Sequence, residues 1–159
     1  MVESPPQRKI FIRQGQTLPS MESLFGWHSQ YERMLRSYDR LSNRDEILDA
    51  LITFFLHSSA LCDWLVQSKA VTKEYIYAEI DNDIPMKICW DICNRSKHLV
   101  LDRSPRIDRN FSIVRYYRGH EVPPGFMVLA GGYQKDLHDI AGGCVAFWGR
   151  VLRARKLLR

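Results

Sequence analysis

Apolar positions recur at helical spacing through several stretches of this chain and alternate, strand-like, in one. After Ser20, which can cap a helix behind Pro19, Leu24, Tyr31, Leu35, Tyr38 and Leu41 fall on one helical face and predict a first helix over 21–41. Asn43 with Glu46 three residues on has the form of a capping box. The helix it opens, 44–67, is apolar almost all round through ILDALITFFLHSSALCDWL, so it belongs at the centre of a bundle. Thr72 can cap a short helix through KEYIYAEI, with Tyr75, Ile76 and Ile80 roofing the bundle. The stretch around which the chain is organised is 83–101, DIPMKICWDICNRSKHLVL, a central helix from Ile84 with Asp83 as cap and Pro85 in its first turn.

Past Leu101 the period changes. DRSPRIDRN reads as a polar turn, and FSIVRYY alternates, placing Phe111, Ile113, Arg115 and Tyr117 on one face. RGHEVPPG is a loop and FMVLAGGYQ a return strand, giving a small hairpin that needs packing against helices to be stable. Leu137, Ile140, Ala141, Cys144, Val145, Trp148, Val151 and Leu152 then predict a last helix over 136–158. Gly142-Gly143 in its middle costs about 1 kcal/mol per glycine relative to alanine, which points to a close helix crossing. The expected fold is mainly α: a bundle of about four long helices, with a small β-hairpin between the third and the last. Residues 1–19, rich in Pro, Gln and Arg, are expected to be a flexible arm, and 20–159 a single domain.

The central helix carries chemistry on its polar stripe. Lys87, Asp91, Asn94 and His98 share one ridge, and Ile88, Ile92, Arg95 and Leu99 run beside it. Unlike polar groups on a largely buried helix need partners, from protein or ligand. On the second helix His57 and Asp63 are open to two readings. Either they face the ridge and share a site with it, or His57 makes an ordinary internal hydrogen bond and Asp63, among Leu61, Cys62, Trp64 and Leu65, holds a paired charge.

Charge and composition narrow the function classes. The 159 residues carry 23 Lys and Arg against 18 Asp and Glu, a net +5 that suits an anionic partner. Arg103, Arg106, Arg109, Arg115, Tyr116, Tyr117, Arg118 and His120 mix cations with aromatic rings, as single-stranded nucleic-acid sites do, and as ordinary strand surfaces also do. The end RVLRARKLLR is basic, which complements a helix C-terminus. No apolar run reaches the about 20 residues of a membrane span and no signal peptide opens the chain, so no membrane and a cytoplasmic location are expected. Cys62, Cys89, Cys93 and Cys144 lie in apolar helical surroundings and read as buried free thiols, with no metal site. Gly-rich phosphate loops, His-Glu-x-x-His and nucleophile elbows are absent, and no cofactor is expected.

The phrases HSSALCDWL (57–65) and DICNRSKHLVL (91–101) resemble a group of small bacterial helical proteins that pair a D-W helix with a C-N-x-x-K-H helix. Their layout is similar to the HEPN superfamily, many of whose members are RNases of toxin–antitoxin and phage-defence systems. That resemblance implies an RNA-processing protein, a metal-free ribonuclease with Asn94, Lys97, His98 and Asp63 as catalytic candidates, and a homodimer joined where two central helices meet. HEPN nucleases place Arg four to six residues before His on a helix, whereas Arg95 and His98 are separated by two residues. Arg115 and His120 satisfy the count, but on an expected strand and loop. Metal-free RNA cleavage needs a proton acceptor for the 2′-OH, an acid for the leaving oxygen and a cation for the phosphorane. His98 can serve the first two roles, Lys97 or an arginine the third, and Asn94 can orient. The alternative is a noncatalytic module, an antitoxin, inhibitor or adaptor, whose Asn/Lys/His cluster is a core network and whose surface binds protein or nucleic acid. Nucleic-acid contacts are expected from Arg95, Arg103, Arg115, Tyr117, Arg118 and His120, with RNA and a protein as the candidate partners.

Overall fold

A computed structural model of the chain describes residues 26–42, 47–97, 105–117, 119–120, 122 and 124–158, with only the backbone described at Ser42 and Lys97. The expected arm over 1–19 and the start of the first expected helix lie outside these residues. Helix α1 spans Trp27–Asp39 and ends in a 3-10 turn, Arg40–Ser42; α2 spans Ile47–Gln67, α3 Lys73–Asp81 and α4 Ile84–Lys97. Strands β1 (Ser112–Tyr116), β2 (Gly125–Ala130) and β3 (Tyr133–Asp136) follow, and α5 (Leu137–Ala154) closes the described chain. The protein is mainly helical with a small antiparallel sheet in the order β1-β2-β3.

The caps explain the helix starts. Thr72 Oγ1 accepts the Tyr75 amide at 3.3 Å, Asp83 Oδ1 accepts that of Met86 at 3.0 Å, and Asp136 Oδ1 accepts that of His138 at 2.7 Å. α2 meets by length and apolarity the measure of a membrane span; here it packs against α1, α4 and α5, burying Leu51, Phe54, Phe55, Leu61, Cys62 and Leu65. A buried polar link ties it to its neighbours: Trp148 Nε1 on α5 donates to Ser58 Oγ at 3.0 Å, and Ser58 Oγ lies 3.7 Å from Met86 Sδ on α4. Such a chain satisfies both polar groups inside an otherwise apolar core.

The sheet has three strands, not the two of a simple hairpin. Gly131 and Gly132, at φ +53° and +83°, form a two-residue turn between Ala130 and Tyr133, and Tyr133–Asp136 folds back along β2. Positive φ at both central positions is the type I′ geometry that glycine accepts freely. The expected single return strand is thus two strands. β1 pairs with β2 over five residues without a bulge, from Ser112↔Leu129 to Tyr116↔Gly125. Gly125 leaves room there for the Tyr116 ring, which lies over it on the way to Asp136, the acceptor of its hydroxyl, and which an added Cβ would have to displace.

Gly143 makes the close crossing that its position implied. A Cβ there would meet the Pro85 ring of α4 at 2.6 and 2.8 Å, whereas one at Gly142 would meet only Tyr38 Oη, at 3.2 Å. Gly143→Ala is therefore expected to cost about 1–3 kcal/mol through overpacking, and Gly142→Ala to cost less. Thermal unfolding of the two variants checks this, with equal melting temperatures contradicting it.

Candidate nucleic-acid interface

The polar stripe of α4 divides into an inward and an outward part. Asp91 is 3% exposed. Its Oδ1 accepts the Arg106 amide at 2.8 Å, and its Oδ2 accepts those of Ile107 at 2.8 Å and Asp108 at 3.2 Å. A carboxylate can be held inside a protein only when its lone pairs are engaged, and three converging amides do so here. The partner that this ridge requires is thus the protein's own backbone. Asp108 carries the constraint outward, accepting Asn110 N at 2.8 Å and Gly131 N at 2.9 Å. Those two backbone bonds hold the Asp108 carboxyl below its ordinary pKa. Arg106 folds back over Trp90 and Tyr77, at 4.6 and 5.3 Å from their ring centroids, and pairs with Asp81.

Of the expected catalytic set, the side chains of Asp63 and Asn94 are described, and they lie apart. α2 and α4 run antiparallel: Phe55 O lies 3.0 Å from Cys93 Sγ, and Ser58 Oγ meets Met86 Sδ. Ile52 borders the same groove as Arg95. From Ile52 to Asp63 the helix rises about 16 Å, so Asp63 sits at the opposite end of α4 from Asn94. Asp63 is exposed, which corrects the expectation that its apolar sequence neighbours would bury it against a counter-charge. His57 turns toward α1, not α4, and its Nδ1 lies 3.0 Å from Gln30 Nε2, the internal hydrogen bond of the simpler reading. Asn94 is half-buried. The Lys97 side chain, His98, Arg103 and Arg118 lie outside the described residues.

At the C-terminal turn of α4 the chain opens a groove of about 380 Å³. It is lined by Ile52 of α2, by Ile92, Arg95 and Ser96 of α4, and by Phe111, Ser112 and Ile113 at the start of β1. No acid lines it among the described residues. Arg95 Nη1 donates to Phe111 O at 2.9 Å and the guanidinium lies 5.1 Å from the Phe111 ring centroid, so the cation is fixed at the rim. Along the same face of β1, as the alternation predicted, come half-buried Ile113, exposed Arg115 and then Tyr117, 71% exposed. Arg115 lies over Phe126 of β2, 5.5 Å from its ring centroid. His120 is exposed just beyond. Arg95 thus lines the groove, and Arg115 and Tyr117 follow Phe111 and Ile113 of its lining along one face of the strand. Ser96, Ser112 and Phe111 also line the groove and do not stand out in the sequence as binding residues. For Phe111 the signal is the same alternation that flags Arg115.

All four cysteines are buried, and burial pushes Cys62 up to about 12 and Cys89 well above its ordinary value.

Two measurements test these assignments. Asp91→Ala leaves three inward-facing amides without an acceptor and is expected to destabilise by about 2–4 kcal/mol. Hydrogen exchange should quicken first at Arg106, Ile107 and Asp108, and unchanged exchange there would contradict the assignment. His57 is held below its ordinary pKa first by burial and then by Arg33, Arg36 and Arg40. A depressed histidine pKa means that the folded state favours the neutral ring. Stability is then full above the unfolded value near 6.5 and falls as pH drops through the lower folded value. His57→Gln should flatten the decline in melting temperature between pH 7 and 5.

No protein-family model, curated protein or solved structure matches this chain.

Proposed function

We propose that the chain is an RNA-binding protein that holds a single strand along the β1 face and the last turn of α4. One observation carries this reading: Arg95 and Arg115 lie over Phe111 and Phe126, beside a groove with no acid among its described lining residues, and the strand that carries Arg115 runs on to the exposed ring of Tyr117. Cations fixed at spaced positions suit phosphates, and an exposed ring offers a stacking surface to a base whatever its identity. The net charge of +5 favours the encounter. The binding needs no catalytic group, and it accounts for Arg95, Arg115, Tyr117 and His120 together.

Metal-free cleavage of the bound strand is a second reading, favoured by one specific placement. Arg95 and Ser96 line the groove, and the chain runs from them directly into Lys97 and His98. His98 would then move the protons and Arg95 or Lys97 would face the phosphorane, with Asp63 playing no part because of its distance along α2.

Fluorescence anisotropy with labelled single-stranded RNA tests the binding. Tyr117→Ala is expected to weaken it about tenfold. Arg115→Glu should weaken it further and make the salt slope shallower by about 0.7 per phosphate that the arginine neutralises. Unchanged affinity in both variants would overturn the proposal. Discrete products in the presence of chelator, abolished in His98→Ala, would add cleavage to binding.

A further inference from the structure

The geometry points to Asp108 as a positioning residue for the groove, an acid outside its lining that fixes the acceptor by which Arg95 is aimed. The inference rests on the RNA-binding reading and goes beyond it by giving a carboxylate, which repels phosphate, a part in holding one. Asp108 sits at the open end of the β1–β2 ladder. Its Oδ1 accepts the amide of Asn110, two residues before Ser112 opens β1, at 2.8 Å. Its Oδ2 accepts that of Gly131, just past the end of β2, at 2.9 Å. One carboxylate thus joins the chain entering β1 to the chain leaving β2, and its own amide is held by Asp91 of α4 at 3.2 Å. Phe111 lies between Asn110, bonded to Asp108, and Ser112, paired with Leu129. That residue makes both contacts to Arg95: its carbonyl accepts from Nη1 at 2.9 Å, and its ring centroid is 5.1 Å from the guanidinium. Where Phe111 goes, the cation goes.

Charge and geometry give Asp108 opposite effects on binding. The amides of Gly131 and Asn110 hold its carboxyl below the ordinary pKa, so it is ionised at neutral pH. As a plain charge it opposes an anionic strand, and neutralising it would raise the net charge above its +5 and tighten binding. As a positioning residue it does the reverse. Amide bonds to a carboxylate are among the stronger hydrogen bonds, and losing one frees Phe111 and, with it, the guanidinium. A cation that must be ordered on binding holds phosphate less well than one already in place.

The test uses the full chain, a labelled uridine octamer and two substitutions, each also made in an Arg95→Ala background. Asp108→Asn removes the charge and one acceptor. Asp108→Glu keeps the charge and displaces the carboxylate by a methylene. Both are expected to weaken binding about threefold, the scale on which members of one hydrogen-bond network couple. With Arg95→Ala already present, Asp108→Glu should change the affinity no further. In the protein without RNA, nitrogen-15 spectra should show the Arg95 guanidinium turning slowly about Cζ–Nε in wild type and faster in both Asp108 variants. Tighter binding by Asp108→Asn with unchanged binding by Asp108→Glu would make Asp108 a plain surface charge and overturn the proposal. Equal weakening by Asp108→Glu with and without Arg95 would overturn it too, since the effect would not pass through the arginine. Failure of wild type to bind the octamer would overturn the RNA-binding reading, and this inference with it. Unchanged Arg95 rotation in both variants would overturn the positioning role alone. Circular dichroism of each variant shows whether the changes belong to a folded protein.

Discussion

The buried carboxylate of Asp91 is the constraint on which the candidate site depends. It lies within the helical core, where an unsatisfied charge would be costly, and it is held there by the amides of Arg106, Ile107 and Asp108. That requirement turns a polar, proline-containing segment into a fixed loop. Ile107 then lies where any side chain at Gly131 would collide with it, 2.7 Å from an added Cβ, and Asp108 receives the Gly131 amide. The β2–β3 turn is thus fastened to α4 through two carboxylates in series. β2 and β3 rest on α5, β1 pairs along β2, and the groove lies between the last turn of α4 and the start of β1. A disturbance at Asp91 should reach the groove through this chain of bonds without touching a residue that lines it.

The same use of acids explains the character of the exposed face. Asp81 pairs with Arg106, Asp83 caps α4 and reaches Arg150, Asp136 caps α5 and accepts from Tyr116, and Asp108 is occupied by two amides. These carboxylates are engaged at helix starts and loop anchors. Arg95 and Arg115 instead face aromatic rings, which hold a guanidinium in place without neutralising it. The cationic face arises from where the acids are placed as much as from the total charge.

Much of the scaffold can be read in the residues, because local physics sets it. Caps at Thr72, Asp83 and Asp136 mark helix starts, and helical periodicity gives α2 and α5 to within a few residues. The glycine pair at 142–143 signals its crossing. What stays hidden depends on partners distant in sequence. Asp91 can be seen to need a partner, but nothing local says that it is the backbone fifteen residues later. Asp63 misleads because its neighbours Leu61, Cys62 and Leu65 point inward while it points out, a matter of helix rotation about the core. The third strand escapes when FMVLAGGYQ is read as one return strand, whereas a glycine pair between alternating stretches is a two-residue turn. The groove joins α2, α4 and β1, and only the tertiary fold brings these three together.

The most direct measurement is a backbone amide spectrum of isotopically labelled protein titrated with a single-stranded RNA octamer. The account predicts shifts concentrated at Arg95, Ser96 and Phe111–Tyr117, with α1 and the basic end of α5 little changed. Shifts centred on Arg33, Arg36 and Arg40, or on Arg153, Arg155 and Lys156, would contradict it, since the strand would then be bound by a surface that neither Asp91 nor the groove controls.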